Sequence, residues 1–308
     1  MWLALALSAC LEEGTPHVPT PLAVVPSPVH VPVVDIEVPA PPRQNDHPVC
    51  EAWSSAIATV DDTGWSGSVA SCEPGDPAAG YLAGLPMLAF ARSLVGLPPV
   101  DAGPGPRAQA CAVAMHANDA ITHHPPEEWA CVSPEVADTA AVALLANLPA
   151  DDSVLAYLVD PGNADTLGHR RWLLSPWLYA AEIGSTDTYS CLELAGIDQT
   201  GPGPDWIAWP PPGAFPREML ELHGHHVDTT GWSIQSDSLD LAAAVVTVTV
   251  AGATYPVEPW SLVDGLGSAS AIAFRVDDLP PADSYTVTVD GVAEPFAYTV
   301  DLVDCMVR

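Results

Sequence analysis

The apolar residues of this chain change their period once, and that change limits what the chain can fold into. Between Asp76 and about Leu148 they recur at three-and-four spacing, the signature of helices with one buried face. Met87, Leu88, Ala91, Leu94 and Val95 form the first such face, which Gly96, Pro98 and Pro99 terminate. Ala108, Ala112 and Met115, with Cys111 beside them, form a second that runs to about Ile121. Ser133 and Pro134 supply an N-cap and a first-turn residue for a helix over 134–148, and Asp151, Asp152 and Ser153 cap a shorter one through Tyr157 to Asp160. Glu182–Ser185 and Thr188–Leu194 then read as paired strands, and Asp205–Trp209 as another. From Ala244 onward the pattern is period two. Ala244–Val250, Ala271–Val276, Ser284–Val289 and Phe296–Val303 alternate Val, Thr and aromatic residues, with Asp290–Gly291 as a turn between the last two. The class is therefore α+β, and the alternating part reads as an immunoglobulin-like β-sandwich.

Residues 1–10, MWLALALSAC, form a short apolar run with small residues just before a cysteine, as in a lipoprotein leader. On that reading Cys10 becomes the first residue and carries acyl chains that hold the protein to a membrane. An ordinary secretory leader, in which Cys10 is incidental, is the other reading. No Lys or Arg precedes the run, which leaves open whether Met1 is the true start. Leu11 follows the cysteine where an inner-membrane retention signal would place Asp, which points to an outer-membrane lipoprotein or an extracellular protein of a bacterial cell envelope. Residues 11–48 carry Pro every few positions and read as a semi-rigid spacer.

Six further cysteines follow: Cys50, Cys72, Cys111, Cys131, Cys191 and Cys305, with no Cys-x-x-Cys pair. An even, widely spaced set in an exported chain predicts three disulfides and argues against a zinc ribbon or a redox motif. Proximity in sequence favours Cys50 with Cys72, Cys111 with Cys131 and Cys191 with Cys305. The formal net charge is -31, and all of the 8 basic residues are Arg. So little positive charge excludes a nucleic-acid partner, whose phosphates must be neutralised by cations.

Two segments carry the chemistry. One is Ile121-Thr122-His123-His124-Pro125-Pro126, followed by Glu127-Glu128-Trp129, and the other is Gly168-His169-Arg170-Arg171-Trp172-Leu173-Leu174. Together with the helix from Ala83 to Val100, their order resembles the CAP superfamily of SCP-like extracellular proteins, in its bacterial form. The resemblance spans about Asp76 to Gly196. It implies an α-β-α sandwich with a cleft where two His and usually two acidic side chains converge and can hold a divalent cation. Position by position it carries over to His123, His169 and, three residues after Tyr157, Asp160. Leu145-Ala146-Asn147 stands where the family has a Glu-containing triplet, so that Glu is absent. Two imidazoles and a carboxylate with water in the fourth place would suit Zn²⁺, and Ca²⁺ is the other candidate. Glu127, four residues after His123, is a candidate for the missing carboxylate, or else part of a solvated acidic surface.

Other readings sit beside these. His123 and His169 can be hydrogen-bonded cleft residues with no ion, no cofactor being required. Arg170 and Arg171 read as salt-bridged, Trp172 and Leu173 as core, and His223, His225 and His226 as an exposed loop. The domains are then a leader over 1–10, a linker over 11–48, a CAP-like domain with an N-terminal extension over 49–204 and a β-sandwich over 205–308.

No nucleophile elbow, zincin helix, P-loop or dinucleotide fingerprint occurs. The expected function is a non-enzymatic cleft for an apolar small molecule, lipid, peptide or glycan. The alternatives are a metal-assisted hydrolase built on His123, His169 and Asp160, and a structural envelope spacer.

Overall fold

The computed structural model describes residues 43–57, 64–76, 78–199 and 203–307, so the leader, Cys10 and the spacer as far as residue 42 lie outside the described residues. The helical half begins with β1 (Arg43–Gln44), α1 (Pro48–Ile57), α2 (Ala78–Leu94), β2 (Asp101–Pro104) and α3 (Pro106–Ala117). α3 starts on a proline, whose missing N–H removes only a donor that has no partner inside the helix. α4 (Pro134–Val142) opens as the sequence predicts, with Ser133 Oγ accepting the Val136 N–H at 3.2 Å.

It ends earlier than expected. Ala143 to Ala146 leave the helix and form β3 (Ala143–Ala146), buried on both faces. Four apolar residues in a row satisfy a central strand as well as a helix, and pairing with a neighbouring strand decides between them. Next come α5 (Ala150–Val159), α6 (Gly168–Leu173), β4 (Leu178–Ser185) and β5 (Ser190–Ile197). The sheet order is β2-β4-β5-β3, with β2 parallel to β4 and the other pairs antiparallel. Strand alternation feeds two cores. Leu144 and Ala146 join Trp53, Leu88, Val154 and Leu158 from α1, α2 and α5 on one face. Ala143 and Leu145 join Cys111, Met115 and Ala140 from α3 and α4 on the other. Helices therefore cover both faces of the sheet, and each fully buried Leu or Val contributes about 1.5–3 kcal/mol.

The alternating half contains β6 (Ile207–Trp209), β7 (Gly213–Pro216), a 3₁₀ turn (Arg217–Leu220), β8 (Glu221–Leu222), β9 (His225–His226), α7 (Val227–Thr230) and β10 (Trp232–Ser236). After these come β11 (Val245–Val250), β12 (Ala253–Val257), β13 (Trp260–Ser261), β14 (Ser270–Phe274), β15 (Ser284–Asp290), β16 (Phe296–Val303) and β17 (Met306–Val307). They form a sheet β13-β14-β10-β6 and a sheet β12-β11-β15-β16-β7. The inward residues Val246, Val248, Val287 and Val300 of the second share one core with Trp232 and Phe274 of the first. Trp232 and Tyr285 meet across it edge to face at 5.5 Å. The described residues group into one compact unit.

All six cysteines expected to pair do so, but with different partners. The bonds are Cys50–Cys305, Cys72–Cys131 and Cys111–Cys191, with sequence separations of 255, 59 and 80. Proximity in sequence misleads because the sheet brings distant segments together. Cys111 of α3 and Cys191 of β5 face the same small core. The β1–β17 pair brings Cys305 to α1, and Asn45 N–H donates to the Cys305 carbonyl at 3.2 Å. Residues 43–48, at the end of the expected spacer, are thus part of the folded body.

One charge pair across the first sheet creates a pH dependence. Glu182 on β4 stands directly opposite Glu193 on β5, which is 5% exposed. Burial raises the Glu193 pKa above 4.5, the Arg107 guanidinium 2.7 Å away opposes that, and Glu182 and Glu135 add to it. Since the folded state holds this proton to higher pH than the unfolded chain, the contribution is full below about 4.5 and is lost as pH rises through the raised value. Urea titrations of the parent and Glu193→Gln at several pH values check this. The stability of the parent relative to the variant should fall as pH rises above that point, and a constant difference would contradict it.

Candidate functional site

Asp160 ends α5 in the left-handed conformation, φ 55°, and its side chain is fully buried. Its Oδ1 accepts from His169 Nδ1 at 2.9 Å and from the Asn163 carboxamide at 2.7 Å, while Oδ2 accepts the Arg170 backbone N–H at 3.3 Å. A carboxylate only accepts, so it fixes Nδ1 of His169 as the donor. The Tyr157 ring packs on the same imidazole with centroids 5.0 Å apart. Burial raises the Tyr157 hydroxyl pKa well above its ordinary value.

Backbone geometry aims this histidine. Leu167 precedes α6 at φ 41°, a left-handed conformation that a bulky residue adopts only under constraint. Its side chain is fully buried against Leu262, Ala271 and Ala273 of the alternating half. That packing holds the turn which presents His169.

Two cavities adjoin at His169 and Asn163. The first, of about 610 Å³, is walled mainly by Ile121, Leu145, Leu148, Val159 and Leu222. The second, of about 630 Å³, runs past Val142, Leu194, Ile197 and Leu266 to His123 and His124. His123 Nδ1 donates to the Ala140 carbonyl at 2.8 Å, and the residue lines the second cavity. The two motif histidines therefore line one cavity.

The three expected ion ligands are not equivalent here. Asp160 stands behind His169 as its partner, with both oxygens engaged, so the set His123, His169 and Asp160 does not fit a three-ligand ion site. Among the described residues, no group of three or more His, Cys, Asp or Glu side chains is arranged to hold an ion. Glu127 is exposed and lines neither cavity.

Arg170 and Arg171 are 1% exposed, and their guanidiniums bond chiefly to carbonyls in place of the expected ion pairs. Arg170 reaches the Leu158, Val159 and Gly231 carbonyls, and Arg171 those of Thr166 and Val263. Burial lowers both to about 10, so both stay charged at neutral pH. Leu173 is buried as expected, whereas Trp172 is partly buried and lines the second cavity.

The residues that sequence reasoning missed are His223 and His225. Both are exposed, as expected, and His223 lies in the turn of the β8–β9 hairpin, but they also line the first cavity beside His169. The available signal was His223-Gly224, a turn dipeptide between two short strands.

Three disulfides are compatible with an extracellular or envelope location, and among the described residues no helix is long and apolar enough to cross a membrane. Comparison with family models, with curated proteins and with solved structures gives no match.

Proposed function

We propose that the protein is an exported binding protein of the CAP type, with an immunoglobulin-like sandwich behind its cleft, that holds a small amphipathic ligand at His169. The observation that carries this reading is the meeting of two apolar-walled cavities at one carboxylate-backed imidazole. Their volumes are in the range that ligand sites occupy, and a few convergent polar groups on an apolar wall are what such sites use for orientation. Anchoring through a lipidated Cys10 to the outer membrane of a bacterial envelope belongs to the same proposal. A metal-assisted hydrolase is less well supported, because Asp160 is committed to His169, and no step is assigned to an ion.

Binding of the neutral fluorophore N-phenyl-1-naphthylamine tests the cleft. Saturable binding by the parent protein is expected, with at least about a tenfold loss in Ala156→Trp, whose indole would fill the first cavity. Equal binding by the two proteins would refute the proposal.

A further inference from the structure

We infer that the β8–β9 hairpin forms the head-group wall of the first cavity, and that the ligand is a neutral, hydroxyl-rich glycoside carrying an apolar chain. This inference rests on the cleft reading above and names the ligand class.

The hairpin is built to hold two histidines at the cavity. His223 and Gly224 both have positive φ, 50° and 80°, which is the conformation of a two-residue primed turn. Histidine is among the side chains that adopt the first of these conformations more readily than most, and Gly suits the second. His223 Nε2 lies 3.6 Å from Asp152 Oδ2 in the first turn of α5, which ties the turn to the helix that also carries Tyr157. Across the turn Leu222 and His225 are directly opposite, so they share a face of the hairpin, and both line the cavity. His226 is used differently: its Nδ1 accepts the Asp228 N–H at 3.1 Å and caps α7.

The polar side chains of the cavity define the head group. Asn147, Asn163, His169, His223 and His225 line it, with no carboxylate or guanidinium among the lining residues. A carboxamide, like a neutral imidazole, offers both a donor and an acceptor. Hydroxyl groups need that combination. A carboxylate ligand would call for positive charge as well, and an ammonium for negative charge, and no guanidinium or carboxylate stands among the lining residues to supply either. The net charge of -31 further disfavours an anion approaching from solvent. Leu145, Leu148, Val159 and Leu222 then take the chain.

The test uses the full chain and three decyl probes below their micelle thresholds: decyl maltoside, decanoate and decyltrimethylammonium. By calorimetry the maltoside should bind at least about tenfold more tightly than either charged probe. In His223→Leu/His225→Leu that preference should disappear, and His223→Asn/His225→Asn should restore it, because a carboxamide again supplies donor and acceptor. Equal or tighter binding of a charged probe, or an unchanged preference in the leucine variant, overturns the inference and leaves the cleft standing. Failure of the parent to bind naphthylamine overturns the cleft itself, and this inference with it.

Discussion

Replacing Cys50 and Cys305 together by Ala is expected to lower the free energy of unfolding by about 5 kcal/mol, the largest effect of the three disulfide deletions. The bond spans 255 residues and closes nearly the whole folded body into one loop. On the chain-entropy account, a cross-link stabilises by removing conformations from the unfolded chain, and its effect grows with the logarithm of the loop. Spans of 59 and 80 residues for Cys72–Cys131 and Cys111–Cys191 therefore give about 4 kcal/mol each. Both cysteines of the long bond are buried, so Ala leaves no polar atom without a partner. Urea unfolding checks the number and the reason together. The midpoint should fall and the m-value should rise, because the opened chain expands further. A loss under about 1 kcal/mol with an unchanged m-value would show that the unfolded chain is held together without this bond.

What could be read from sequence, and what could not, divides by the range of the interactions. Helices α2, α3 and α5, and strands β11, β14, β15 and β16, follow from period and caps, which are local. Ala143–Ala146 has no period to read, and only its pairing with β5 makes it a strand. The disulfides show the same division: how many form follows from composition and compartment, while their partners follow from which segments the sheets bring together. At the cleft, His123 and His169 stood out through the order of their motifs, and both do line one cavity. Asp160 also stood out, as a ligand beside His169. A sequence does not distinguish a carboxylate next to an ion from one behind an imidazole, since both need an Asp a few residues from a His. His225 was missed because its role depends on a hairpin folding back over α5, more than sixty residues earlier in the chain.

Arg170→Met is expected to cost about 3–5 kcal/mol of stability and to loosen His169 as well. Charged residues are read as surface groups by default, yet this guanidinium is 1% exposed and makes five hydrogen bonds. Two go to the Leu158 and Val159 carbonyls, the last of α5, which have no partner within their own helix. Two more reach Gly231 and Ser233, and the fifth reaches Thr230, so one side chain joins the helix that ends at Asp160 to the start of β10. Methionine matches much of the volume but offers no donor. The Val159 carbonyl keeps its bond from the Thr230 hydroxyl at 2.6 Å, while those of Leu158 and Gly231 lose the guanidinium. Removal of the positive charge also takes a favourable charge away from the buried Asp160 carboxylate, which its bonds from Asn163, His169 and the Arg170 backbone offset only in part. A loss of that size should lower the melting temperature by about 10 °C in a chain of this length. Naphthylamine affinity measured well below the new melting temperature separates the two consequences. Weaker binding by a folded variant places Arg170 as a positioning residue for the Asp160–His169 pair, whereas unchanged binding confines it to stability.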